Sequence, residues 1–210
     1  MVSRVTRWWW VRHAPVTVNQ GRIYGGDDLD CDTDDQEAFR GLAAILPADS
    51  VVITSNLKRT QQTADAIRSA GLALAGAIIE ADFREQSFGE WQGMRFEDFL
   101  AMRAAERHAH WLAAAQERAP GGESFEDLRA RVTRGIERHG AGHAGRDIVA
   151  VAHGGVIKAA IGHALGCDSE TALVFGVANC SVTVLEQVEL EGGGMVWRVA
   201  QINRPPHQHR

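Results

Sequence analysis

Three apolar runs in this chain end in cationic or imidazole side chains. Arg12-His13 closes RVTRWWWVR, Ser55 with Lys58-Arg59 follows VVIT, and His153-Gly154-Gly155 follows IVAVA. A guanidinium is a planar fork of donors, charged at every relevant pH, that matches phosphate oxygens. A helix opening after Gly-Gly adds backbone N–H groups aimed at an anion. The anion that suits this set is a phosphoryl group. A neutral histidine has one basic nitrogen able to attack phosphorus, provided its other nitrogen donates to a fixed acceptor. A second histidine, if protonated, would add positive charge. The leaving oxygen then needs a proton, and Glu85, within FREQSFGEWQG, is the carboxyl that sequence context favours.

For these groups to meet, the runs before them must be neighbouring strands. RVTRWWWVR is rich in β-formers and stops at His13-Ala14-Pro15, where proline cannot continue a central strand. A polar loop rich in Gly and Asp fills 19–35, and Thr33 and Asp34 offer N-caps to a helix over 35–46 that ends before Pro47. VVIT reads as a short buried strand, 56–70 as a helix with Gly71 as its C-cap, and 77–79 as another short strand. Strong helix formers run over 95–118 up to Pro120-Gly121-Gly122, and Ser124-Phe-Glu-Asp127 has capping-box form for a helix to about His139. IVAVA is a strand, 156–165 a helix closed by Gly166, and 181–188 and 195–202 antiparallel partners. This alternation predicts an α/β fold: a three-layer αβα sandwich with a mostly parallel central sheet, one domain over 1–210. Ligands of such sheets sit outside the carboxyl ends of the strands, where the three polar clusters fall. The last residues, 203–210, are expected to be a mobile tail.

Composition sets the limits. The chain has 210 residues, 45% of them hydrophobic and 23% charged, with a net charge of −5, which offers no general attraction to nucleic acid or anionic lipid. Cys31, Cys167 and Cys180 form no Cys-x-x-Cys pair, so neither a disulfide framework nor a thiolate metal site is expected, and a reducing compartment fits best. The apolar run 8–11 is bracketed by Arg4, Arg7 and Arg12, which is wrong for a signal-peptide core. No stretch nears the roughly 20 apolar residues of a membrane span, so a cytoplasmic location is expected. The Trp8-Trp9-Trp10 run is expected to pack both sheet faces. His108, His110, His207 and His209 lack metal-ligand spacing, and Ser55 and Ser124 lack a nucleophile-elbow context. Segment 91–122 reads as a solvated hairpin or a helical lid, with Arg95, Arg103 and Arg107 on one helix face.

These motifs in order resemble the histidine phosphatase superfamily, with its phosphoglycerate-mutase-like fold, over essentially the whole chain. The matching elements are Arg12-His13-Ala14 with Asn19 six residues beyond the histidine, Ser55-x-Leu-x-Arg59-x-x-x-Thr63, Glu85 ahead of FGEWQG, Gly122-Glu-Ser124, and Ala152-His153-Gly154-Gly155. The resemblance implies two-step phosphoryl transfer with His13 as nucleophile. Arg12, Arg59 and His153 would hold the phosphate oxygens, with Asn19 assisting and Gly154 opening the helix beside them, and Glu85 would act as acid and then base. It implies no metal and no cofactor, because cationic side chains take the charge that Mg²⁺ carries elsewhere. The partner is then a small phosphorylated metabolite, with oligomeric state open and a homodimer allowed. The motifs look most like the α-ribazole-phosphatase and broad-specificity phosphatase branches. A cofactor-dependent phosphoglycerate mutase is the alternative, set back by the missing longer insertion and tail, and a noncatalytic phosphate binder is a third reading. Ala14, Pro15 and Asp30-Cys31 depart from the family's usual residues; a residue before proline is driven to extended backbone, which alanine accepts, so the loop is expected to be rebuilt around a retained His13.

Overall fold

The computed structural model describes residues 2–207. Six strands form one sheet: β1 (Val2–Arg12), β2 (Val51–Thr54), β3 (Ile78–Ile79), β4 (Asp147–Ala152), β5 (Val182–Leu190) and β6 (Met195–Arg204). Their order is β3-β2-β4-β1-β5-β6, with the first four parallel and β5 and β6 antiparallel at one side. Helices α1 (Gln36–Ile45) and α2 (Lys58–Ser69) pack on one face, and α4 (Phe125–Gly142), α5 (Gly154–Leu165) and α6 (Ser169–Leu173) on the other; α3 (Phe96–Met102) lies apart. The fold is the expected three-layer α/β sandwich.

Alternation along β1 sets the layers. Trp8 and Trp10 stack at 5.2 Å and face α4 and α5 with Phe83, whereas Trp9 and Val11 join the opposite core with Phe39, Leu42 and Ile67. β4 is buried on both faces, as its unbroken apolar run requires. Register then places the chemistry: Arg12 pairs with Ala152 and Thr54 with Val151, so the residues that follow (His13, Ser55 and His153) leave the sheet side by side. The chain turns from β1 toward α1 on one face and from β4 into α5 on the other, which opens the crevice between them.

Local signals held at most helix ends. Ser124 and Asp127 form the reciprocal capping box, and Gly166 closes α5 in the left-handed region at φ 63°. The N-cap of α1 is Asp35, one residue beyond Thr33 and Asp34. The helix expected over 95–118 is not there. α3 stops at Met102, with Arg95 and Arg103 as its two caps, so Arg95, Arg103 and Arg107 do not share a helix face. Tertiary contacts override helix propensity: Arg103 is buried against Trp91 and Phe99 and paired with Glu117, and Glu170 holds both His108 and the backbone of Ala115. The segment forms its own small core, with Ile23, Phe88, Trp91 and Phe99 at its centre. Strand β6 extends into the tail, taking in Asn203 and Arg204, and Pro206 lies against Gly41 of α1. His209 and the rest of 208–210 lie outside the described residues. Among the described residues, no helix is long and apolar enough to cross a membrane.

Candidate active site

His13 is buried at the end of β1. Its backbone N–H donates to Ala152 at 2.9 Å, and its carbonyl accepts from Asn179 Nδ2 at 2.8 Å. Its Nδ1 lies 2.6 Å from the Ala14 carbonyl, which can only accept. Nδ1 therefore carries the proton and Nε2 the lone pair. Burial, together with the charges of Arg59 and Arg12, pushes the His13 pKa down to about 3 despite the hydrogen bond to Ala14. The ring is neutral at any physiological pH. Ala14 donates its N–H to Thr63 Oγ1 at 2.9 Å and avoids positive φ, so alanine is accommodated without strain. Pro15 keeps its carbonyl for the Asp32 N–H at 2.7 Å.

His153 lies 5.1 Å from His13, ring centre to ring centre, and is completely buried. Its Nε2 meets Ser55 Oγ at 2.8 Å, and its Nδ1 accepts from Arg59 Nε at 3.2 Å. Because Arg59 can only donate, Nδ1 holds a lone pair and the proton is on Nε2. A donor chain follows, from His153 through Ser55 Oγ and Thr60 Oγ1 to the Leu57 carbonyl. The positive charge that protonation of this histidine would add is therefore not part of the arrangement. Both nitrogens are committed to a neutral ring, and burial beside Arg59 holds its pKa well below the usual histidine range.

Arg59, at the start of α2, is also fully buried. Its Nη1 and Nη2 donate to the carbonyls of Asp27 and Gly25 at 2.6 and 2.7 Å, and Tyr24 covers its guanidinium at 5.2 Å. The loop that supplies those carbonyls docks on α2, with Asp28 capping the Lys58 N–H and Gln62 bridging Asp30 and Cys31. Arg12 donates from Nη1 to Val177, while its buried Nε has no hydrogen-bond partner among the described residues. A buried cationic donor left open is suited to an anion that comes from outside.

Glu85 enters from the opposite side. Its oxygens accept from the Gln86 N–H at 3.0 Å and from the Gly155 N–H in the first turn of α5 at 3.2 Å. Arg131 of α4 secures this segment by donating to the carbonyls of Asp82, Arg84 and Glu85 while pairing with Glu123. Gly154 sits between the two charged groups: a Cβ there would be 3.6 Å from Arg12 Cζ and 3.9 Å from Glu85 Oε2. Two arginines, two neutral imidazoles, one carboxyl and a helix N-terminus thus converge where the parallel strands end.

A cavity of about 570 Å³ opens above this cluster, with Arg12, Gly25 and Glu85 among its lining. Asn19 lines the cavity and donates one of its two amide N–H groups to the Arg22 carbonyl, at 2.8 Å. Of the four other histidines weighed above, His110 lines the cavity, His108 pairs with Glu170 at 2.9 Å, and His207 lies 3.9 Å from Asp35 and Glu37. The functional reading of the sequence had no place for Asn179 and Arg131, and it gave Ser55 and Thr63 no partner.

Two guanidinium groups, two imidazoles and a carboxyl gathered at the carboxyl ends of a parallel sheet, on an αβα sandwich, lead to the class of protein. The chain belongs to the histidine phosphatase superfamily (branch 1), whose family model matches residues 8–203. It is 34% identical over 120 residues to the "Bifunctional protein Rv2228c" of Mycobacterium tuberculosis (strain ATCC 25618 / H37Rv), covering 57% of this chain and 32% of that one. The chain spans about a third of the length of the first curated relatives it matches. It is 30% identical to the "Adenosylcobalamin/alpha-ribazole phosphatase" of Escherichia coli (strain K12) over 175 residues, 81% of this chain and 85% of that one. In fold it is similar to the mycobacterial glucosyl-3-phosphoglycerate phosphatase Rv2419c, with a TM-score of 0.78, 24% identity, and coverage of 97% of this chain and 100% of that one.

Proposed function

We propose that this protein is a metal-independent phosphomonoesterase that hydrolyses a small phosphorylated metabolite through a phosphohistidine at His13. The observation that carries this reading is the hydrogen bond from His13 Nδ1 to the Ala14 carbonyl, which leaves the Nε2 lone pair available next to two guanidinium groups. Family membership and named phosphatases among the relatives support it.

In the first step Nε2 attacks phosphorus and the ester P–O bond breaks, the leaving oxygen taking a proton from the Glu85 carboxyl. Arg12, through its open Nε, and Arg59 offset the charge on the phosphoryl oxygens, and the N-terminus of α5 adds its dipole. His153 and Ser55 fix the guanidinium of Arg59, and Asn19 assists from the rim. In the second step water gives its proton to the Glu85 carboxylate and attacks phosphorus, the P–N bond breaks, and neutral His13 returns with free phosphate. The test is phosphate release in EDTA from a panel including p-nitrophenyl phosphate and α-ribazole phosphate, with His13→Ala alongside. Turnover in EDTA that the variant loses is expected; wild-type activity in His13→Ala would refute the assignment.

A further inference from the structure

The cavity above the cluster is built for more than a phosphate. Of its lining, Ile23, Tyr24, Phe88, Phe96, Trp111 and Leu112 are apolar or aromatic, and the polar side chains are fewer. The main wall is fixed before any ligand arrives. Trp111 donates its indole N–H to Gln86 Oε1 at 2.8 Å, its ring lies 6.0 Å from Phe88, and Lys158 backs it at 5.1 Å. Phe96, at the start of α3, lines the same cavity as an exposed aromatic, 47% accessible although phenylalanine is usually buried. The cations near this wall are already engaged: Arg22 ties its guanidinium to the Gly93 carbonyl at 2.6 Å and Lys158 donates to the Leu173 carbonyl, while His110 is exposed.

We infer that the alcohol part of the substrate carries a flat aromatic ring, which packs on the wall that Phe96 and Trp111 help to form while its phosphate meets Arg12 and Arg59. This inference rests on the phosphomonoesterase reading and names its substrate class. The volume, about 570 Å³, is that of a site for a drug-sized ligand, and a three-carbon acid would leave most of the aromatic wall wet. A carboxylate in the same place would be desolvated against Trp111 and Phe88, where Arg22 is tied to Gly93 and Lys158 to the Leu173 carbonyl.

The test compares primary alkyl phosphates of similar leaving-group basicity: 2-phenylethyl phosphate, ethyl phosphate and 3-phosphoglycerate. The aromatic ester is expected to have a kcat/KM at least tenfold above both others, expressed mainly in KM. Phe96→Ala and Trp111→Leu should each shrink the ratio of 2-phenylethyl to ethyl phosphate by about tenfold; Phe96 is exposed, so that variant keeps the fold. Equal kcat/KM for the two alkyl esters, or a preference for 3-phosphoglycerate, with phosphohistidine still forming, overturns the substrate class alone. No turnover of any ester, p-nitrophenyl phosphate included, and no phosphohistidine would overturn both readings.

Discussion

Arg59 donates its Nε–H to Nδ1 of His153 at 3.2 Å, a contact that only a neutral imidazole can accept. With Ser55 Oγ accepting the hydrogen bond from Nε2–H, the second histidine is locked in one tautomer at the centre of the site. Nitrogen NMR should find Nε2 protonated and Nδ1 not, and the reverse pattern would break the donor chain proposed from His153 to Leu57. Ser55→Ala leaves the His153 and Leu57 donors without an acceptor, which should cost about 1–3 kcal/mol and lower kcat/KM through Arg59.

Neutral burial of two histidines links stability to pH. The folded pKa of His13 is depressed to about 3 and that of His153 lies well below 6.5, so the unfolded chain binds the extra protons. Stability is therefore complete above the unfolded value near 6.5 and falls as pH drops below it, for His13 until about pH 3. His13 should contribute a loss of about 2 kcal/mol between pH 6.5 and 5, and His153 a further loss of the same sign. Urea midpoints measured over that range should fall, and by less in His13→Asn; a midpoint independent of pH would contradict the assignment.

The same depression shapes catalysis. Because His13 stays deprotonated far below 6.5, kcat/KM corrected for the second ionisation of the ester should show no histidine-like acid limb between pH 5 and 7. An enzyme group titrating near 6.5 would mean that the nucleophile is not held as described.

The two glycines that open α5 are not equivalent. A Cβ on Gly154 meets only ordinary contacts, whereas on Gly155 it would come within 2.6 Å of Glu85 Oε1 and 2.9 Å of Leu128. Gly154→Ala should fold with stability equal or raised by up to about 1 kcal/mol. Gly155→Ala should lose about 1–3 kcal/mol and at least tenfold in kcat as Glu85 is displaced. Equal effects in paired melting and kinetic measurements would show that Glu85 is not seated against Gly155.

Much of the fold was legible because β1, β2 and β4 announce themselves as apolar runs, each ending in a polar motif. His13, Arg59 and His153 could be placed together once those runs were taken as adjacent parallel strands. The partners that fix them could not. Asn179 lies 166 residues from the His13 carbonyl it holds, and Arg131 lies 46 from Glu85. Such pairs are set by how loops pack, and an Asn or Arg in a loop or on a helix reads as solvated until the fold is known. Segment 95–118 misled for the same reason: its helix formers are real, but Arg103, His108 and Ala115 are pulled toward partners that no single helix could reach.

The central claim is that His13 Nε2 takes the phosphoryl group. Glu85→Gln should slow release from the phosphoenzyme more than its formation from p-nitrophenyl phosphate, whose leaving group needs no proton. Rapid quench at high pH followed by peptide mass analysis of that variant should find an acid-labile phosphoryl adduct on the peptide carrying His13, formed at the rate of the p-nitrophenolate burst. An adduct on any other residue, or steady turnover with neither burst nor adduct, would contradict the account.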